Sequence, residues 1–458
     1  MTYGFPGRIM CELLSHDVAG VDVTKGKSGI RAAGALAGCA LLLSGCGLGG
    51  NGQDGSGAAR PEPVTVAKAP AKVPVPLGRG SRTADDFNGD GHRDLVLNDL
   101  VKRDSHGDDA GIGIVYGSAR GLVPGARQLL SPARHAAATK GQLPALFDAE
   151  ARCDLNGDGF TDLVVSTDPP YDGQGQPPVP LQILFGSSRG LSGTAVKLVI
   201  PPQARFGNDW PDQPVCGDFD GDDAEDLVVH ATDGQLSLLR GPFTRKGAPK
   251  AAGAPLASPG NVPTPPAVDV TGDGYDDLLV RKSENSTATF LVPGGPAGPK
   301  GAAIALPAGT DVVFGRFGKG AGLDAAIGSL RGTALRYDVP GTRRGTLDVA
   351  GTVLDSGDFD GDGVSELVSS GSELRVFPGR AAGPSVSGMV TVPPPARGTT
   401  RVLAVGDFDG DGRADLAVRT YRGDTKDTVA VYPGTKRGLI AREPSVTFST
   451  SGFLGLEG

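Results

Sequence analysis

Asp407-Phe408-Asp409-Gly410-Asp411-Gly412-Arg413-Ala414-Asp415 places carboxylates at positions 1, 3, 5 and 9 of a nine-residue segment. Oxygen ligands at that spacing in a tight turn suit a hard cation that takes six to eight oxygens at roughly 2.3–2.6 Å. The glycines let the chain fold back on itself, and the carbonyl of position 7, here Arg413, supplies a further oxygen. The pattern recurs with small substitutions from Asp86, Asp154, Asp218, Asp269 and Asp358. A single Asp/Gly cluster marks only a turn. Six copies in one register point to calcium loops.

The copies differ in ligand quality. Four carboxylates occur in Asp218, Asp220, Asp222 and Asp226, in Asp358, Asp360, Asp362 and Glu366, and in Asp407, Asp409, Asp411 and Asp415. Asn88 stands at position 3 among Asp86, Asp90 and Asp94, as Asn156 does among Asp154, Asp158 and Asp162. The copy with Asp269, Asp273 and Asp277 has the weaker ligand Thr271 there. The position-7 carbonyls belong to His92, Phe160, Ala224, Tyr275, Val364 and Arg413. An EF-hand reading fails, since that loop has twelve residues, ends in a bidentate Glu and lies between helices. Short apolar runs follow these loops instead, as in Leu95-Val96-Leu97 and Leu163-Val164-Val165, and they read as strands.

A seventh register, from Arg316, has lost its ligands: Arg316, Gly318 and Gly320 replace the first three, and only Asp324 survives. The expectation is no metal there, with the cation at position 1 neutralising the remaining acid. Loop starts are then spaced by 42 to 68 residues, a period that signals a propeller or array. A second element recurs within the period, a strand ending in a turn, as in Val115-Tyr116-Gly117-Ser118 and Leu184-Phe185-Gly186-Ser187. Each period has room for about four short strands. The fold class expected is all-β, a seven-bladed β-propeller with calcium-binding hairpin loops.

With these loops and the Phe-Gly or Tyr-Gly turns, residues 81–453 resemble FG-GAP/VCBS-repeat proteins and the propeller of integrin α chains. The resemblance implies that each metal loop joins the first and second strands of a blade and stabilises one face. It carries little about activity, because propellers host many functions.

The N-terminal region gives an address. Lys25, Lys27 and Arg31 precede an apolar stretch too short to span a bilayer, and Leu43-Ser44-Gly45-Cys46 resembles a bacterial lipobox. Residues 1–45 then read as a lipoprotein signal peptide, with Cys46 lipidated, or as an ordinary signal peptide cut after small residues. Residues 46–80, rich in Gly, Ala and Pro, read as a flexible tether, and 454–458 as a tail. The expected location is the extracytoplasmic face of a membrane, held through Cys46.

Net charge is −8, and much of the acidity sits in the loops, so it says little about partners. No basic stripe for nucleic acid is present. Cys153 and Cys216 flank consecutive loops one register position apart, which leaves two readings, a disulfide between blades or two buried thiols. Gly186-Ser187-Ser188-Arg189-Gly190 matches a nucleophile elbow but aligns with the repeat turn at Gly117–Gly121, so the repeat explains it. No zinc spacing links His92, His106, His135 and His230, and His230 reads as the end of a strand.

The longest connections leave the face opposite the loops. They carry His106, Tyr171 and Trp210, either as a ligand face or as passive insertions with Trp210 packed beneath one. The functional expectation is a binding or adhesion scaffold for a protein or glycan. The alternative is an envelope-associated carbohydrate lyase or hydrolase using acids on that face.

Overall fold

The computed structural model describes residues 70–454 except 101–109, 169–179, 208–210, 233–234, 254, 319, 321 and 423–426. The signal segment, Cys46, most of the tether, His106, Tyr171 and Trp210 lie outside the described residues.

Among the described residues, seven antiparallel sheets of three or four strands follow one another along the chain, and a two-stranded ribbon, Gly434–Thr435 with Leu439–Ile440, is inserted before the last strand of the seventh. Blade one has strands Leu95–Leu97, Ile112–Val115 and Arg127–Leu130. Blade two has Leu146–Cys153, Asp162–Asp168, Gln182–Leu184 and Val196–Lys197. Blade three has Asp212–Gly217, Asp226–Thr232, Gln235–Arg240 and Ala251–Ala252, and blade four Val262–Val268, Asp277–Arg281, Thr289–Val292 and Ile304–Ala305. Blade five has Asp311–Gly315, Asp324–Gly328, Thr333–Arg336 and Arg344–Leu347, and blade six Val353–Gly357, Glu366–Ser370, Leu374–Phe377 and Val390–Thr391. Blade seven has Thr399–Gly406, Asp415–Tyr421, Thr428–Tyr432 and Val446–Ser449. The seven-bladed propeller is thus the fold, with three strands rather than four in blade one among the described residues.

The period-2 geometry of strands explains the Leu-Val-Val runs. In blade two, Leu163 and Val165 pack toward blade one, whereas Val164 packs toward blade three. A strand covered on both faces is apolar throughout rather than alternating. Seven apolar cores result, one at each junction between neighbouring blades. Each fully buried Val, Leu or Phe contributes about 1.5–3 kcal/mol, so a blade without neighbours loses both of its cores.

The ring closes without exchanging a strand between the first and last blades. Leu95, Leu97 and Val115 of blade one share a core with Phe408, Val429 and Phe448 of blade seven. Three arginines tie the same junction. Arg419, ion-paired with Asp427 at 2.8 Å, donates to the carbonyls of Asn98 and Asp99, and Arg127 donates to that of Gly452 at 3.0 Å. Arg93 donates to the Val405 carbonyl at 3.0 Å. The folded part also begins upstream of Ser81. Val73 donates its amide to Gly125 at 2.9 Å, Arg127 donates to the Pro70 carbonyl at 2.8 Å, and Val75 packs on the first core.

Cys153 and Cys216 form a disulfide, with their α-carbons 6.4 Å apart, joining the innermost strands of blades two and three. Of the two readings open in the sequence, the structure takes the disulfide. His230 does not end its strand: it lies inside Asp226–Thr232 and meets Asp212 at 2.8 Å.

Closing a loop of this length restrains the unfolded chain by roughly 4 kcal/mol in the chain-entropy account. Replacing both cysteines by alanine should therefore lower stability by up to about that amount in a denaturant melt while the far-ultraviolet spectrum stays β-rich. An unchanged midpoint would mean that the bridge restrains nothing.

Candidate functional site: a belt of carboxylate loops

Each loop joins the first and second strands of its blade, or in blade one precedes the first assigned strand, and all seven lie on the same face. The position-1 carboxylate organises the turn. Asp407 accepts the amides of Gly410, Asp411 and Gly412 at 2.7, 3.1 and 2.9 Å. Asp358, Asp269 and Asp218 each accept the three equivalent amides, and Asp86 and Asp154 accept two.

Position 9 has a different task. Asp415, almost fully buried, accepts the Phe408 amide at 2.9 Å and the Gly434 amide at 3.1 Å. The same clamp recurs at Asp94 with Phe87 and Gly117, at Asp162 with Leu155 and Gly186, at Asp277 with Val270 and Gly294, and at Glu366 with Phe359 and Gly379. Asp226 accepts the Gly241 amide at 2.8 Å. One side chain thus fixes the start of the loop, the second strand and the turn after the third strand. In blades one and two those turns are the Tyr116-Gly117 and Phe185-Gly186 elements of the sequence, and in blades four, six and seven they are Pro-Gly. Gly186–Gly190 is one of them, with Ser187 Oγ donating to the Gly190 carbonyl as Ser118 Oγ does to Gly121.

Position 2, which sequence reasoning left unassigned, is the apolar pin of each loop. Phe87, Leu155, Phe219, Val270, Phe317, Phe359 and Phe408 each enter the core shared with the following blade. The signal was present as recurring phenylalanines in one register, Phe317 of the degenerate loop included.

Blade five separates frame from ligands. Its loop keeps Phe317 and Asp324, positions 2 and 9, and loses positions 1, 3 and 5. Asp324 is not neutralised by Arg316 as expected; it accepts the amides of Gly318 at 3.0 Å and Asp338 at 2.7 Å.

Neighbouring loops interlock into a belt. The position-8 amides of Thr161, Asp276, Ser365 and Ala414 donate to the position-1 carbonyls of the preceding blades, Asp86, Asp218, Arg316 and Asp358, at 2.7–3.0 Å. Position-7 side chains lie on the position-4 glycine of the preceding loop, Phe160 on Gly89 and Tyr275 on Gly221. A β-carbon at Gly89 or Gly221 would collide with those rings, and both glycines also have positive φ.

The chemistry fits a hard cation. Among the described residues, three groups bring carboxylate oxygens within 4.8 Å of one another: Asp218 with Asp220 and Asp226, Asp358 with Asp360 and Glu366, and Asp407 with Asp409 and Asp415. These are the three loops with carboxylates at all four positions. Buried oxygens without a protein hydrogen-bond partner occur at positions 3 and 9: Asn88 Oδ1, Asp220 Oδ1 and Asp226 Oδ2. The donor set is all oxygen, which suits calcium.

Position 5 stands outside those groups. Asp90, Asp158, Asp222, Asp273, Asp362 and Asp411 each accept the position-7 amide of their own loop, from His92, Phe160, Ala224, Tyr275, Val364 and Arg413. Several also meet a cation, as Asp222 does Lys250 at 2.9 Å, and Asp158 and Asp411 do Arg245 and Arg413. At position 3, Asp220 is paired with Arg240.

Residues 344–418 match a protein-family model described as FG-GAP-like repeat. That stretch resembles an FG-GAP-like repeat. It runs from the outermost strand of blade five into blade seven and contains the loops at Asp358 and Asp407. No curated protein sequence matches the chain. Among solved structures, BBS1N in complex with ARL6DN is similar at 12% identity, with 81% of this chain and 96% of that one covered and a TM-score of 0.43. Dihydro-heme d1 dehydrogenase NirN in complex with DHE is similar at 15% identity, covering 86% and 84%, with a TM-score of 0.41. The V. cholerae biofilm matrix protein Bap1 is similar at 12% identity, covering 78% and 80%, with a TM-score of 0.25. Likeness at this level carries no functional argument.

Burial pushes the Asp94 and Asp162 carboxyls up to about 8, and Asp226, Glu366 and Asp415 to about 7, against the lowering effect of their amide donors. The ordinary unfolded value is about 4. The metal-free fold therefore binds more protons than the unfolded chain between about pH 4 and 8, and its stability falls as pH rises through that window. Calcium bound at these groups would replace those protons, so its affinity should rise over the same window. Thermal melts at pH 5 and pH 8.5 should show the chelated chain losing stability at the higher pH and the calcium-loaded chain holding it. Equal pH dependence with and without calcium would sever the carboxylates from the metal.

Proposed function

We propose that the chain is an extracytoplasmic, lipid-anchored propeller, stabilised by about six calcium ions, that serves as a binding scaffold for a protein or glycan at the cell envelope. The observation that carries the reading is the belt: repeated all-oxygen loops fill one face and leave the other to the connections. A rigid frame with functional connections on one face is how propellers and other scaffolds commonly bind. The Cys153–Cys216 disulfide supports an oxidising compartment. Extracellular calcium is compatible with weak sites of roughly 10⁻⁴–10⁻³ M. Among the described residues, no helix is long and apolar enough to cross a membrane. The anchor proposed is lipid on Cys46, which lies outside the described residues.

A second reading has its own observation. On the face opposite the belt, burial and then the charges of Asp99, Glu150 and Asp168 push Asp148 up to about 6, and burial also raises Glu150. A carboxylic acid held partly protonated near neutral pH beside other carboxylates is the equipment of a glycan hydrolase. Binding of envelope glycans that saturates without turnover favours the scaffold; turnover abolished by Asp148→Asn favours the hydrolase.

Calorimetric titration of calcium into the chelated chain should reach close to six equivalents. Asp360→Asn and Asp409→Asn should each weaken or remove one of them. Zero or one equivalent in the unsubstituted chain would refute the metal reading.

A further inference from the structure

Blade five breaks the acidic pattern of the belt in the opposite sense. Arg316 takes the place of the first aspartate and is exposed. The hairpin beside it, Thr333–Arg336 with Arg344–Leu347, contributes Arg336, Arg343 and Arg344. Several arginines on this face meet carboxylates, Arg93 with Asp85 at 2.8 Å and Arg240, Arg245 and Arg413 with Asp220, Asp158 and Asp411, while Arg120, Arg189 and Arg380 stand singly on the turns of other blades. Among the described residues, none of Arg316, Arg336, Arg343 and Arg344 has a carboxylate within ion-pair distance. The acids at hand are otherwise occupied. Asp324 is buried in its clamp, and Asp338 turns its carboxylate onto Gly320.

Two of these cations are held in place. Arg336 donates to the carbonyls of Gly341 at 3.0 Å, Pro340 at 3.2 Å and Ala305 at 2.7 Å. A guanidinium has five N–H donors, so this one is fixed and still has donors to offer. Arg343 lies over the Tyr337 ring at 4.4 Å, with an Nη 3.3 Å from where a β-carbon at Gly318 would stand. Arg344 sits directly opposite Arg336 in the strand register. Like charges in that relation are destabilising unless an anion lies between or beside them. Burial, and next the charge of Arg344, hold Arg336 below its ordinary pKa.

We propose that this rim of blade five binds an anionic polysaccharide, with Arg343 and Arg344 gripping successive acidic groups and Arg336 fixing the register. Arg343 faces Tyr337 and blade six, while Arg336 reaches the Ala305 carbonyl of blade four, so an extended chain crossing the rim meets both sides. A glycan suits the rim better than nucleic acid does. Tyr337 is buried beneath Arg343 and offers no face on which a base could stack. The site is separate from the connection face of the preceding section, so its failure leaves that scaffold reading standing.

Affinity electrophoresis of the calcium-loaded chain through gels containing hyaluronan, dextran sulfate or neutral dextran tests it and tells carboxylate from sulfate recognition. Retardation is expected by at least one anionic polymer and not by neutral dextran. Arg344→Gln, and Arg343→Gln with Arg344→Gln, should weaken it at least fivefold with unchanged melting. Arg375→Gln, at an arginine already paired with Glu373, should leave it intact. No retardation, retardation insensitive to these substitutions, or duplex DNA bound more tightly through the same arginines would each overturn the proposal.

Discussion

A buried carboxylate that accepts two backbone amides holds six of the seven blades of this propeller in shape, and in blade three its counterpart Asp226 accepts one. Removing a carboxylate from water is costly, and the cost is offset only when its oxygens are hydrogen-bonded or its charge is met. Here the amides come from the loop's second residue, or its third in blade five, and from the turn after the third strand. The clamp therefore cannot form unless strand, loop and turn are all in place. Beside it an apolar residue, usually phenylalanine, enters the next blade's core, so each loop is fastened to its own sheet by hydrogen bonds and to its neighbour by packing. Blade five keeps both fastenings around Phe317 and Asp324 without the other ligands. The frame and the metal site are thus two layers of one motif.

The metal layer follows from charge. Carboxylates from positions 1, 3 and 9 converge in the three loops that have acids at every position, and the position-9 groups among them sit well above the ordinary carboxylate range. A divalent cation removes that repulsion. Because neighbouring loops bond to one another at four of the junctions, a cation ordering one loop would steady its neighbour and stiffen a face rather than a single hairpin.

What the sequence disclosed and what it concealed divide along the same line. The loop register, the blade count, the strand runs and the three loops with acids at every ligand position are local patterns, and they read directly. Contacts between blades do not. Phe160 resting on Gly89 and Arg93 reaching Val405 join residues far apart in sequence that no local pattern pairs, and the Cys153–Cys216 bridge was legible only as one of two readings. Asp324 illustrates the limit from the other side. It was visible as the survivor of a lost site, but its partners, Gly318 and Asp338, appear only once the third strand and its turn are folded.

The most direct test of the central claim compares Asp324→Asn with Asp360→Asn in denaturant melts, each with calcium and with chelator. Asparagine at 324 keeps one acceptor and turns an N–H₂ toward the other amide, so about 1–3 kcal/mol should be lost in both conditions. The Asp360 substitution should cost stability only when calcium is present. A neutral Asp324→Asn, or one whose cost appears only with calcium, would contradict the account that the clamp, and not the metal, holds the blades.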